Sequence, residues 1–423
     1  MRDGRERRTA RKNRAVLAVV PGVDTSRPTD VDVVVVGAGQ AGLSAAYHLR
    51  RRGLVPLGSA APDPRPRTFV VLDGDEQPGG AWQHRWPSLT MRTVNRVYEL
   101  PGTPVEVPDP DEPVRTLIPR YFARYEEQHD LRVRRPVRVL SVQDAGQRLL
   151  VLTDGGESYL ARALVGATGT WTRPFWPHYP GAETFAGRQL HTHDFTGARD
   201  LRGRRVVVVG GGISAVQHLL EIAPVATTLW VTRRPPLWRE GPFDARRGHD
   251  AVALVEERAR AGLPPQSVVS VTGLPLDDRY RAGVESGVLR RFPVFTRVSR
   301  DAVVWEPSSV LGPGAGDVPP GATLTQDGVE WPADAILWAT GFRSALDYLA
   351  PLHLRERGGG VLMDGTVVVR DPRVQLVGYG PSASTVGANR AGRDAARAVE
   401  AVLNGDAPRP GPGGGLGRGA CRE

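Results

Sequence analysis

The stretch VDVVVVGAGQAGLSAAYHLRRRG, residues 31–53, limits what this chain can fold into more than any other. Its valine run reads as a buried strand, Gly37, Gly39 and Gly42 as a tight turn, and the apolar residues beyond as a helix closed by Gly53. Each glycine has a physical reason. Gly37 permits the sharp turn, Gly39 lets backbone approach a pyrophosphate, and Gly42 lets helix and strand pack closely, while the helix N-terminus points unpaired N–H groups at the anion. The strand TFVVLD follows and ends at Asp73, whose carboxylate suits ribose hydroxyls. The intervening LVPLGSAAPDPRPR reads as a surface loop that lengthens the usual spacing without changing the strand order.

The pattern then recurs. RRVVVVGGGISAVQHLLEIAP, residues 204–224, is again strand, Gly210-x-Gly212-x-x-Ala215 and helix, with alanine where the motif tolerates it. The next strand, TTLWVTRR, ends in Thr232, Arg233 and Arg234 instead of an acid. A carboxylate there would repel a 2′-phosphate, whereas guanidinium groups bind it in bidentate fashion, so the second site is expected to take NADPH and the first FAD. Two dinucleotides in one chain imply hydride transfer between them, hence a flavoprotein reduced by NADPH. The expected fold class is α/β with two Rossmann-like dinucleotide-binding domains.

Composition removes other classes. The formal charge of +9 gathers in the leading tail, through Arg2, Arg5, Arg7, Arg8, Arg11, Lys12 and Arg14, and the remaining excess is scattered, so no nucleic-acid surface is expected. Lys12 is the sole lysine, which argues against an internal Schiff base. Cys421 is the sole cysteine, which leaves no disulfide framework, no thiolate metal cluster and no Cys-x-x-Cys pair for a disulfide reductase. No apolar run reaches the roughly 18 residues a membrane span needs, and a cytoplasmic enzyme without a membrane or metal partner is expected.

With these motifs the chain resembles the class B flavin monooxygenases: flavin-containing N/S-monooxygenases, YUCCA-type enzymes and Baeyer–Villiger monooxygenases. The resemblance extends to GGAWQHRWPSLTM at 79–91, to the Ala-Thr-Gly turns in VGATGTW at 165–171 and LWATGF at 337–342, and to FAGRQLHTHDF at 185–195, which is similar to the fingerprint of that class. It implies an FAD domain carrying an inserted NADPH domain: a disordered tail over 1–30, FAD domain over 31–200 and 337–405, NADPH domain over 201–336, and a second disordered tail over 406–423. It implies insertion of one oxygen atom from O2 into a small organic substrate by way of a C4a-peroxyflavin. Phe195, where Baeyer–Villiger enzymes carry tryptophan, favours N- or S-oxygenation. Baeyer–Villiger chemistry and a plain reductase or oxidase stay as alternatives, and a homodimer is left open.

Site candidates follow. For FAD they are Gly37, Gly39, Gln40, Ala41, Gly42, Asp73, Gly80, Trp82, Thr168, Gly169, Thr340, Gly341 and Thr385, the last opening a helix that Ser384 or Thr385 caps. For NADPH they are Gly210, Gly212, Ser214, Ala215, Arg233 and Arg234. By family register Arg92 and Asn95 compete for the place of an asparagine that holds the oxygenated flavin, and Arg92 there would favour an anionic peroxide or substrate, which keeps Baeyer–Villiger chemistry or an acidic substrate in play. His191, on the connector between the two units, is expected to couple NADP+ seating to the flavin site rather than act as a general base. Trp238, Phe243 and His249 are pocket candidates without an assigned role.

Overall fold

The valines of the first repeat form the strand Thr29–Val36, and Val33, Val34 and Val35 are fully buried. A continuous apolar run suits a parallel strand covered on both faces, where alternation would expose every second residue. The computed structural model describes residues 27–60, 63–95, 97–241, 256–265, 273–311 and 318–406. Phe243, His249 and the residues before 27 and after 406 lie outside the described residues.

Around Thr29–Val36 the sheet runs Val374–Leu376, Ser158–Gly166, Thr29–Val36, Thr68–Leu72 and Val55–Pro56, all parallel. Ser158–Gly166 has two neighbours on one side. Its first half pairs antiparallel with Arg148–Thr153 and its last residues pair with Val374–Leu376. The helix Gln40–Arg51 lies against the C-terminal helix Thr385–Asn404 so closely that a Cβ on Gly392 would meet Ser44 Oγ at 2.4 Å. Ala388, Ala391, Ala395 and Val399 of that last helix are buried, as their spacing predicts.

The second repeat builds its own parallel sheet, in the order Arg291–Pro293, Thr227–Thr232, Arg205–Val209, Ala335–Trp338 and Arg188–His191. The strand Arg188–His191 lies in this second sheet, not in the first unit where the sequence division puts it. Four residues are too few to reveal a strand period, and their membership is decided by pairing with Ala335–Trp338. RFPVFTRVSRDAVVW does not form one strand but breaks into Arg291–Pro293, Arg297–Val298 and Ala302–Trp305. The last two join Gly328–Pro332 and Thr323–Thr325 in an antiparallel ribbon, and Trp305, Trp338 and Phe295 fill the core between it and the parallel sheet. Among the described residues no helix is long and apolar enough to cross a membrane.

Candidate functional site between two dinucleotide turns

The two glycine turns are built alike at the level of atoms. Gly37 N–H donates to Leu72 O at 2.7 Å and Ala167 N–H to Val36 O at 2.8 Å; in the second unit Gly210 N–H donates to Val231 O at 3.0 Å and Ala339 N–H to Val209 O at 2.8 Å. Both first glycines are in the left-handed half of conformational space, at φ +101° and +144°. A Cβ on Gly37 would stand 2.6 Å from Ala167 O, and one on Gly210 would stand 2.2 Å from Ala339 O. The alanine of each Ala-Thr-Gly segment therefore presses its carbonyl onto the turn of its own unit, and only glycine fits beneath it.

The first turn has a floor free of side chains. A Cβ on Gly39 would meet nothing nearer than Gly80 Cα at 4.0 Å, whereas one on Gly80 would lie 2.8 Å from Gly39 Cα. The 79–91 loop thus lies with its backbone against the turn, and Trp82 beside it is partly buried. Asp73 stands at the end of its strand, buried, with Arg135 Nε at 3.2 Å. Arg135 also grips Glu126 through two 2.7 Å bonds. Burial pushes the Asp73 carboxyl above its usual range, and Arg135 works against that push. Gln40 Nε2 donates to Tyr98 O at 3.1 Å and to Asn389 Oδ1 at 3.0 Å, which ties the first turn to the C-terminal helix. Its Oε1 is buried without a partner. Ala41 is buried, and a Cβ on Gly42 would sit 1.8 Å from Gly37 O. The C-terminal helix is capped by Ser384, whose Oγ accepts from Gly387 N–H at 3.1 Å, so Thr385 is its first helical residue and not the cap.

At the second turn Gly212 has nothing within 4 Å of an added Cβ, Ser214 is half-buried and Ala215 is fully buried. Thr232, buried at the strand end, bonds through Oγ1 to Arg234 O at 2.5 Å and leaves Arg233 and Arg234 exposed. Sequence reasoning missed a third cation here. Arg291, on the neighbouring edge strand, donates from Nε to Thr232 Oγ1 at 3.2 Å and from Nη2 to Thr232 O at 3.1 Å. Nothing in the local pattern of an arginine-rich chain distinguishes it.

The two crossings between units are bonded to each other. Thr168 Oγ1 donates to Ala345 O at 2.7 Å, Ala345 N–H to Gly169 O at 3.0 Å, Phe175 N–H to Gly341 O at 2.9 Å and Thr340 Oγ1 to Phe175 O at 2.5 Å. Beside this ribbon stands His191, fully buried and held below its usual pKa by burial. Its Nδ1 accepts from His193 N–H at 3.0 Å, so Nε2 carries the proton and donates to Gly341 O at 3.0 Å.

A second seam joins the 79–95 loop to the helix Ile213–Ile222. Gln217 Nε2 donates to Thr93 O at 2.8 Å, and Ser88 Oγ to Glu221 Oε2 at 2.7 Å. Between them the His218 ring sits 4.5 Å from Trp86 and 4.3 Å from Phe195, all three buried. Arg92 is turned outward, 60% exposed, in a bidentate pair with Asp111 at 2.7 and 2.8 Å. That carboxylate holds the Arg92 guanidinium at the surface. Asn95 is exposed as well, and Trp238 packs edge-on against Trp230.

Comparison with known proteins agrees with this construction. The model of the pyridine nucleotide-disulphide oxidoreductase family matches residues 34–245, half of the 423. The flavin-containing monooxygenase of Stenotrophomonas maltophilia superimposes with a TM-score of 0.70 at 34% identity, over 89% of this chain and 99% of that one. An uncharacterized oxidoreductase CzcO of Bacillus velezensis is 28% identical over 219 residues, 49% of this chain and 59% of that protein. The indole-3-pyruvate monooxygenase YUCCA1 of Oryza sativa subsp. japonica is 32% identical over 192 residues, 45% of this chain and 44% of that protein. The chain spans about half the length of the curated relatives it matches first. It belongs to the pyridine nucleotide-disulphide oxidoreductase family, among the flavin monooxygenases.

Proposed function

We propose that this chain is an NADPH-dependent flavin monooxygenase that places one oxygen atom of O2 on the nitrogen or sulfur of a small organic substrate. The observation that carries the reading is the pair of dinucleotide turns of matching construction, with a buried aromatic seam of Trp86, Phe195 and the uncharged ring of His218 joining the 79–95 loop to the helix of the second turn. FAD fits the first turn, because Gly39 and Gly80 leave no side chain over its floor and the unpartnered Oε1 of Gln40 awaits a donor there. Gly37, Gly42, Asp73, Trp82, Thr168, Gly169, Thr340, Gly341 and the start of the helix at Thr385 would complete that side. NADP(H) fits the second turn, through the open space over Gly212 and the cations Arg233 and Arg234, with Ser214 and Ala215 opening the helix.

When bound, the flavin supplies the redox chemistry that activates O2, and the nicotinamide supplies hydride. The chain's own part is orientation and exclusion. His191 holds the Gly341 carbonyl and with it the ribbon between the units, while the seam keeps water from the reacting centre. With every partner satisfied and its tautomer set, His191 is unsuited to exchange a proton. Phe195, in the fingerprint, supports N- or S-oxygenation over attack on a carbonyl.

Parallel measurement of NADPH consumed, peroxide released and sulfoxide formed tests this, with methyl phenyl sulfide as substrate and cyclohexanone as control. Sulfoxide equal to the NADPH not recovered as peroxide supports the reading. Peroxide equal to NADPH with every acceptor would replace it with an oxidase, and lactone from the ketone in place of sulfoxide with Baeyer–Villiger chemistry.

A further inference from the structure

Two withdrawn guanidinium groups among the described residues are paired with carboxylates. Arg135, with 11% of its side chain exposed, takes Asp73 and Glu126, and Arg373, with 15%, takes Asp371 and Asp144. Arg85 breaks the pattern. Its Nε is buried without a partner, and the guanidinium lies over the rings of Trp171 at 4.7 Å and Trp82 at 5.6 Å. Among the described residues no carboxylate accompanies it, and burial alone lowers its pKa to about 10. Stacking on tryptophan faces satisfies the planar faces of the cation and leaves its buried Nε–H without an acceptor, while the residue as a whole is half-buried.

Beside Arg85 is a second orphan. His218 is fully buried, and neither ring nitrogen has a hydrogen-bond partner. After burial, the Arg85 charge is the next cause that keeps it neutral, followed by His191. A neutral imidazole retains one N–H to give. Two buried donors without partners, Arg85 Nε and the His218 ring, require an explanation, because buried polar groups are ordinarily paired. The walls around them are aromatic: Trp82 and Trp171 under Arg85, Trp86 and Phe195 against His218.

We infer that this seam binds the carboxylate of an organic acid with an apolar, ring-bearing body, Arg85 taking the carboxylate and His218 donating beside it. The inference rests on the monooxygenase reading and names the substrate class for it. The anionic preference that sequence register assigns to Arg92 belongs instead to Arg85, since Arg92 already has Asp111.

Calorimetric titration of the FAD-loaded protein with phenylacetate and with phenylacetamide, which keeps the ring and drops the charge, tests it. The acid is expected to bind at least ~tenfold more tightly than the amide, the worth of one charge-assisted contact. Arg85→Gln should bring the acid to the amide's affinity without changing the amide's, and Arg85→Lys should keep part of the difference. Equal affinities in the wild-type protein, or an unaltered acid affinity in Arg85→Gln, would overturn it. So would an Arg85→Gln protein that loses FAD or binds NADP+ more weakly while its acid-to-amide ratio stands, since the guanidinium would then serve a cofactor. If Arg85→Gln does not accumulate, His218→Asn carries the test: weakened acid with unchanged amide supports the site, and no change in either refutes it. Failure of acid binding leaves sulfoxide formation standing, and failure of sulfoxide formation leaves the acid-to-amide ratio standing, so the two readings fall separately.

Discussion

His191 Nε2–H and the carbonyl oxygen of Gly341 are 3.0 Å apart, across 150 residues of sequence, and they fasten the fingerprint strand of the second sheet to the turn where the chain returns to the first. The same imidazole accepts from His193 N–H through Nδ1 at 3.0 Å. A fully buried ring with both nitrogens committed is a structural coupling element.

His191→Ala should therefore leave FAD bound while releasing more peroxide per NADPH, because the crossing ribbon loses its anchor but the first turn is untouched. Gly341 O keeps its bond from Phe175 N–H, so the direct loss is one hydrogen bond to each of Gly341 O and His193 N, about 0.5–1.5 kcal/mol apiece. His191→Gln, which can still donate to Gly341 O, should recover part of the coupling. Unchanged peroxide yield in His191→Ala would refute the role.

Gly210 and Gly212 share one motif and should respond oppositely to alanine. At Gly210 the added methyl would lie 2.2 Å from Ala339 O at a φ of +144°, so Gly210→Ala should not accumulate as folded protein. Gly212 is at φ −98° with nothing within 4 Å, so Gly212→Ala should change stability by no more than about 0.5 kcal/mol. Its methyl instead occupies the approach path of a pyrophosphate, and NADPH affinity should fall at least ~tenfold. Thermal denaturation and NADPH titration of the two variants distinguish folding from binding; a Gly212→Ala protein with wild-type NADPH affinity would argue against the second turn as the nucleotide site.

These contrasts show what the sequence could and could not reveal. Gly37, Gly42 and Gly210 were legible because a glycine in a strand-to-helix turn reports on backbone geometry, and each has a carbonyl pressed against it. That the strand Arg188–His191 joins the second sheet was not legible, because its place is decided by pairing with residues 335–338, far along the chain. The pairing of Arg92 with Asp111 was not legible, because the two are 19 residues apart with no spacing rule to connect them. Arg85, Arg135 and Arg291 could not be singled out in a chain that uses arginine almost everywhere a lysine would serve. Only neighbours distant in sequence separate Arg135, held by two carboxylates, from Arg85 and Arg291, which have none among the described residues.

Selectivity for the 2′-phosphate should be shared by three arginines. Arg233→Ala and Arg234→Ala should each raise the KM for NADPH in flavin reduction by ~10–100-fold and leave that for NADH nearly unchanged, since a charge-assisted phosphate contact is worth about 1.5–3 kcal/mol. Arg291→Gln should act in the same direction but less, because it works by holding Thr232 and hence the turn that carries the other two. A ratio of NADPH to NADH efficiency that no substitution moves would show the cations to be merely solvated.

Acid stability should trace to His218. Its folded pKa is lowered to about 3, chiefly by burial, while the unfolded chain takes up the same proton near the ordinary 6.5. Between those values the unfolded state binds more protons, so stability is level above pH 6.5 and falls as pH drops through the window, at about 1.4 kcal/mol per pH unit where the difference is a full proton. His48, lowered to about 4, tilts the curve the same way, with Arg393, Arg52 and Arg51 adding to its burial. His218→Leu removes one of the depressed histidines and keeps the seam apolar, so urea unfolding between pH 6.5 and 4.5 should show a shallower loss of stability than the wild type. Equal slopes would mean that His218 already takes up its proton in the folded protein, and the seam would then be wet.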